Sequence, residues 1–129
     1  MANIGGNING IFQAKVTQRD EAGKIVKNDF GEALHNWVDK VTVRGWLGLQ
    51  SGDSKYSNFN AKIEESTHVF LCDYNAALYS LSLLNENGAA NNLRAIIKGM
   101  VYDVLLIDNP DEMDEQLEVY LRKVGAWNG

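Results

Sequence analysis

Two short apolar runs, Leu93 to Ile97 and Met100 to Ile107, are separated by nothing but Lys98-Gly99. A two-residue connection leaves room for a tight hairpin only, and the Ile and Val content of both runs suits strands better than helices. An antiparallel sheet is therefore written into the second half of the chain. The period of two recurs elsewhere. Val41, Val43, Gly45, Leu47 and Leu49 share one face, with Thr42, Arg44, Trp46 and Gln50 on the other. An exposed Trp46 on that polar face suggests a surface that meets something. Thr67, Val69 and Leu71 alternate with His68, Phe70 and Cys72, which makes this strand apolar on both sides. Leu117, Val119 and Leu121 alternate with Glu118, Tyr120 and Arg122 in a closing strand.

The connections follow from turn chemistry. Ile11 to Gln18 reads as strand, and Asp20-Glu21-Ala22-Gly23 as a turn with Gly23 at positive φ and Lys24 to Lys27 as a short return. The stretch from Phe30 to Trp37 fits a loop and a single helical turn equally. Ser51-Gly52-Asp53-Ser54-Lys55-Tyr56-Ser57-Asn58-Phe59-Asn60 is a polar loop carrying two aromatics and a lysine. It is long for a hairpin and so a first candidate for a site. Asn75 to Asn92 reads as an irregular excursion with a turn signal at Asn85-Glu86-Asn87-Gly88. A loop over Asp108 to Asp114 is anchored by Pro110, the only proline. No internal repeat stands out. The expected fold is all-β: a small antiparallel barrel of six or seven short strands with long loops. The barrel domain spans residues 11–124, preceded by a flexible Gly/Asn-rich arm, 1–10, and followed by a short tail, 125–129. Leu93, Ile97, Val101, Leu105, Val119 and Leu121 are expected in the core.

Composition narrows the function. The 129 residues are an ordinary globular mixture, 45% hydrophobic and 22% charged. Twelve bases against 17 acids, a net charge of −5, argue against a surface that wraps nucleic acid. The bases are scattered rather than clustered, so no sequence-reading helix emerges. Of these, Arg44, Arg94 and Lys98, together with Trp46, are candidates for contacts with another subunit or partner. With one cysteine, Cys72, no internal disulfide can form. The first residues lack the basic start and apolar run of a signal peptide, and the longest apolar run is too short for a membrane span.

Tests for chemistry come out empty. His68 and Cys72 would touch on a helix, but on a strand they stand roughly 13 Å apart at about 3.3 Å per residue. That is beyond the reach a thiolate–imidazole pair needs. His35 and His68 have no metal-ligand spacing. The acids Asp108, Asp111, Glu112, Asp114, Glu115 and Glu118 come without an intervening base, yet lack the spacing of a calcium loop. Asp111, Glu112 and Asp114 suit a surface that meets a basic partner. No catalytic, cofactor-binding or metal-ligating residue is expected, and no enzyme activity.

The order of segments resembles one family. Leu93-Arg94-Ala95-Ile96-Ile97-Lys98-Gly99-Met100-Val101-Tyr102-Asp103-Val104, then Ile107-Asp108-Asn109-Pro110 and Leu117-Glu118-Val119-Tyr120-Leu121, is similar to the head-closure (head–tail connector) proteins of tailed phages and prophages. These share an Arg-bearing strand, a Gly turn, a Tyr-x-Val return and a final strand. The front half is compatible, so the resemblance spans roughly residues 10 to 124. It implies a barrel made in the bacterial host cytoplasm and assembled as a ring of copies in the virion neck, below portal and adaptor proteins. Such a ring retains packaged DNA without reading its sequence and offers the tail proteins a docking surface. By position, Ser51 to Asn60 matches the loop that acts as channel stopper. The alternatives are another neck or tail component (adaptor, tail terminator or tail-completion protein) or a small-barrel binding module unrelated to phages.

Overall fold

The structure is a computed structural model and describes residues 4–49, 66–83 and 92–127. Among the described residues six strands form the sheet: β1 (Ile8–Thr17), β2 (His35–Leu49), β3 (His68–Asp73), β4 (Leu93–Ile97), β5 (Met100–Asp108) and β6 (Gln116–Ala126). All neighbours are antiparallel in the order β1-β2-β3-β6-β5-β4, and β1 pairs with β4 as well as β2, so the sheet closes on itself as a barrel. The expected all-β class is what the chain adopts. Closure needs local bends. They come from register shifts at Phe12/Gln13 in β1–β2 and at Val101/Tyr102 and Val104/Leu106 in β5–β6.

The hairpin over Lys98-Gly99 forms as expected. Lys98 (φ 51°) and Gly99 (φ 71°) both take the left-handed conformation of the tight turn whose twist matches its strands. This turn pairs Ile97 with Met100 and Ala95 with Tyr102, and directly paired residues share a face. With Ile97 inside, the inward residues of β5 are Tyr102 and Val104, and the second shift then brings in Ile107. The expectation of Val101 and Leu105 in the core is therefore corrected: both are only partly buried. Leu93, Ile97, Val119 and Leu121 are core residues, joined by Phe12, Phe70, Cys72 and Leu117. The Phe12 and Phe70 rings meet edge to face with centroids 5.7 Å apart. Space for them comes from Gly10 and Gly45. A Cβ on Gly45 would lie 2.3 Å from the Leu71 carbonyl oxygen and 2.7 Å from the Phe70 ring.

Other boundaries move. The first strand starts at Ile8 rather than Ile11, and Asn7 N–H donates to Gly45 O, so the expected free arm is tied to the sheet from Ile4 onward. The expected tail shortens too: Gly125 and Ala126 belong to β6, and Trp127 N–H donates to Gly99 O. Part of the excursion after β3 is a short helix, α1 (Ala76–Ser80). The Asn75 side chain caps it by accepting from Leu78 N–H, and Leu78 and Leu81 drop into the core. Leu49, expected on the inner face, is 79% exposed at the end of β2.

Residues 18 to 34 hold the largest surprise. Asp20 to Lys24 forms the expected turn, with Gly23 at φ 83°. The same turn is then repeated at Asn28 to Glu32, with Gly31 at φ 81°. In the first, Asp20 Oδ1 accepts from Ala22 and Lys24 N–H; in the second, Asn28 Oδ1 accepts from Phe30 and Glu32 N–H. Gln18, Val26 and Leu34 close the base in a ring of backbone bonds: Gln18 N–H to Leu34 O, Leu34 N–H to Val26 O, Val26 N–H to Gln18 O. Of the stretch from Phe30 to Trp37, the first residues complete a second hairpin and His35 to Trp37 begin β2; the two hairpins form an arm beyond the ends of β1 and β2.

Candidate interaction surfaces

The outer surface of the barrel is where the singled-out residues gather, and several are already engaged. Trp46 Nε1–H donates to Ile4 O at 2.8 Å, and Arg44 Nε–H donates to Gly6 O at 2.8 Å. Asp73 completes the clamp by accepting from Ile4 N–H at 2.7 Å and Gly5 N–H at 3.2 Å. These side chains hold the chain's own N-terminal segment across the outside of β2 and β3. Trp46 nevertheless remains 43% exposed.

Arg94 belongs to a polar belt. Its Nε–H donates to Gln13 Oε1 at 2.6 Å, and its guanidinium lies 4.4 Å from the centre of the Trp37 ring. Gln13 in turn donates to Asp39 Oδ1 at 2.7 Å. On the other side Arg94 stands opposite Asp103, which pairs with Arg122 at 3.0 Å. The belt thus crosses five strands, from Asp39 on β2 through Gln13, Arg94 and Asp103 to Arg122 on β6. The planar guanidinium stacked on an indole explains why this position suits Arg rather than Lys. Lys98 is exposed at the turn between β4 and β5.

Above the belt one side of the barrel is strongly acidic. On β5 and β6 the outward residues Asp108 and Glu118 are paired across the ladder. The loop between them exposes Asp111, Glu112, Asp114 and Glu115 around a 58% exposed Met113. Asn109 braces this loop. It is buried, donates from Nδ2 to Asp114 Oδ1 at 2.7 Å, and accepts from Asp114 N–H at 3.2 Å. Asp111, Glu112 and Asp114 all have φ between 52° and 56°, a conformation costly without glycine. Crowded charge is felt locally. Burial, then the charges of Glu118 and Asp111, hold the Asp108 carboxyl above its ordinary range. Burial, a hydrogen bond to Glu118 and the nearby acids push the Tyr120 hydroxyl up.

Cys72 and His68 share the inner face of β3. Cys72 is fully buried, and burial together with the Asp73 charge pushes its thiol up to about 11, the opposite of an activated nucleophile. His68 packs edge-on to Tyr102 with centroids 5.1 Å apart and lies 2.9 Å from Thr67 Oγ1. Among the described residues, no three His, Cys, Asp or Glu side chains come together to hold a metal ion, and no helix is long and apolar enough to cross a membrane. The proposed stopper segment, Ser51 to Asn60, lies outside the described residues.

The first turn of the arm was expected from the sequence but its second hairpin was not, and the tip of that hairpin carries Phe30, at 88% the most exposed large apolar side chain among the described residues. The signal was present as Asp-x-x-Gly-Lys and Asn-x-x-Gly-Glu eight positions apart (20 to 28, 23 to 31).

No protein-family model matches the chain, and no curated protein does. Among solved structures, a chain from the virion of a native gene transfer agent particle is similar at 16% identity, over 93% of this chain and 96% of that one, with a TM-score of 0.49.

Proposed function

We propose that this chain is a structural protein of a tailed-phage virion, a head-closure subunit of the neck. In this reading it forms a ring with copies of itself below the portal and adaptor proteins, retains packaged DNA without reading its sequence, and presents the docking surface for tail proteins. It catalyses no reaction and carries no cofactor. The reading is supported by one observation above others: the segments that carry the sequence resemblance assemble as a unit. Arg94 on β4, the Lys98-Gly99 turn, Tyr102 and Val104 on β5, and β6 are consecutive, mutually paired parts of one closed antiparallel sheet. The outer-surface belt and the acidic loop also suit a protein whose work is contact rather than chemistry. A strand-dominated fold speaks against the adaptor alternative, since adaptors tend to be helical. Residues 51–60, following β2, are the proposed stopper.

The test is removal of the gene from the phage or prophage that carries it. Heads should then fill with DNA and lose it, leaving tails unjoined in electron micrographs. Full heads joined to tails without the protein would refute the neck assignment.

A further inference from the structure

The segment that crosses the outside of β2 and β3 is gripped by its backbone. Asp73 Oδ1 and Oδ2 accept from the Ile4 and Gly5 N–H groups, and Gly45 O accepts from Asn7 N–H. Trp46 Nε1–H and Arg44 Nε–H donate to the Ile4 and Gly6 carbonyls. Every one of these bonds uses main-chain atoms of residues 4–7. Glycine is required at one position. A Cβ on Gly6 would lie 2.4 Å from Gly45 N and 2.5 Å from its Cα, so strap and strand touch backbone to backbone. The strap takes no part in the core. Ile4 is half-buried, Gly5 and Asn7 are exposed, and the first buried side chain among the described residues is Ile8, where β1 begins. Residues 4–7 can therefore lift away without breaking a core contact, at the low-stability end of local opening. Lifting them uncovers an indole N–H, a guanidinium, a carboxylate and a carbonyl, all fixed on two paired strands.

We infer that Arg44, Gly45, Trp46 and Asp73 form a binding site for an extended, glycine-bearing stretch of another protein's main chain, and that Ile4 to Gly6 is the built-in strap that fills it in the free subunit. The ligand class follows from the contacts: the clamp holds amides and carbonyls, and only glycine fits over Gly45. A different protein is favoured over a second copy, because exchanging identical straps between copies remakes identical bonds with no gain. The strap also leaves Trp46 43% exposed. A segment carrying an apolar side chain over that indole has more surface to bury than the strap does, and so displaces it. Until such a segment arrives, the strap keeps the polar groups of the clamp paired. The inference deepens the contact role proposed above, but it is tested on the isolated chain.

The test uses the full chain with Gly6→Ala, which forces the strap off Gly45, and a synthetic peptide of residues 1–7 as the probe. Hydrogen exchange at the Ile4 and Gly5 amides should quicken about tenfold or more in the variant, while the amides of β4 and β5 keep their protection. By calorimetry the peptide should bind the variant about tenfold more tightly than the parent chain, whose own strap competes. The same peptide with Gly6→Ala should not bind, and Asp73→Ala or Trp46→Phe added to the variant should each weaken binding. No saturable binding to the variant, or equal binding to variant and parent, overturns the inference. So does a strap still protected after Gly6→Ala, or a loss of protection in β4 and β5, which would make the strap part of the barrel. A parent chain that dimerises at high concentration in sedimentation, with the dimer abolished by Gly6→Ala, gives the clamp to a second copy and overturns it too. Gene removal reads the neck assignment separately, so the two failures are distinguishable.

Discussion

Gly45 illustrates how a single missing side chain fixes packing. It lies under the Phe70 ring and against the Leu71 carbonyl, so any Cβ must displace backbone. Gly45→Ala should destabilise the fold by about 1–3 kcal/mol in thermal or denaturant unfolding. Phe30 is the opposite case. With 88% of its surface already in water, Phe30→Ser should change stability by less than about 0.5 kcal/mol in denaturant unfolding. Cys72 makes a pH-dependent contribution. Its thiol ionises near 9.0 when exposed and at about 11 in the fold, so unfolded chains lose the proton first. The stability contribution of Cys72 is therefore complete below pH 9.0 and is lost as pH rises toward 11. At pH 8 a thiol reagent should label the native protein far more slowly than the protein in denaturant. Equal labelling rates would contradict the burial.

Among the elements, the β4–β5 hairpin shows how a turn dictates a core. Its two-residue connection forces Ile97 opposite Met100, and every inward position on β5 follows from that pairing up to the next bulge. Ile97→Ala and Leu121→Ala should each cost about 2–5 kcal/mol. Val101→Ala, on the outer face opposite Ile96, should cost less than about 1 kcal/mol. Equal losses at Ile97 and Val101 would mean that the register is wrong. The arm is a second self-contained element: its turns are closed by their own Asp20 and Asn28 side chains, and its base by three backbone bonds. Replacing residues 19–33 with a short turn should leave the barrel's strand signature in circular dichroism intact.

For the whole molecule, the proposed division of labour is between a closed sheet that resists deformation and appendages that make contacts. Replacing residues 51–60 with a short Gly-Ser turn should leave a folded barrel that still enters the neck, while filled heads lose DNA. Particles that keep their genome with the shortened segment would remove the stopper role and leave the connector role standing.

Local rules in the sequence determined the period-two strands, the Lys98-Gly99 turn, the turn at Gly23 and the all-β class. Each rests on interactions within a few residues, which the chain carries wherever it folds. Only the tertiary structure decided closure, because the pairing of β1 with β4 joins Gly10 to Ile97 and Ala14 to Leu93 across most of the chain. It also decided which parity of β5 faces inward, since that depends on the partner strand. Arg44 and Trp46 were legible as outward residues, but that the fold brings Gly6 and Ile4 to them as hydrogen-bond partners was not. The acids around Pro110 were legible as a run. Their gathering with Glu118 on one side of the belt was not, because charge in a sequence has sign and spacing but acquires direction only when the sheet closes.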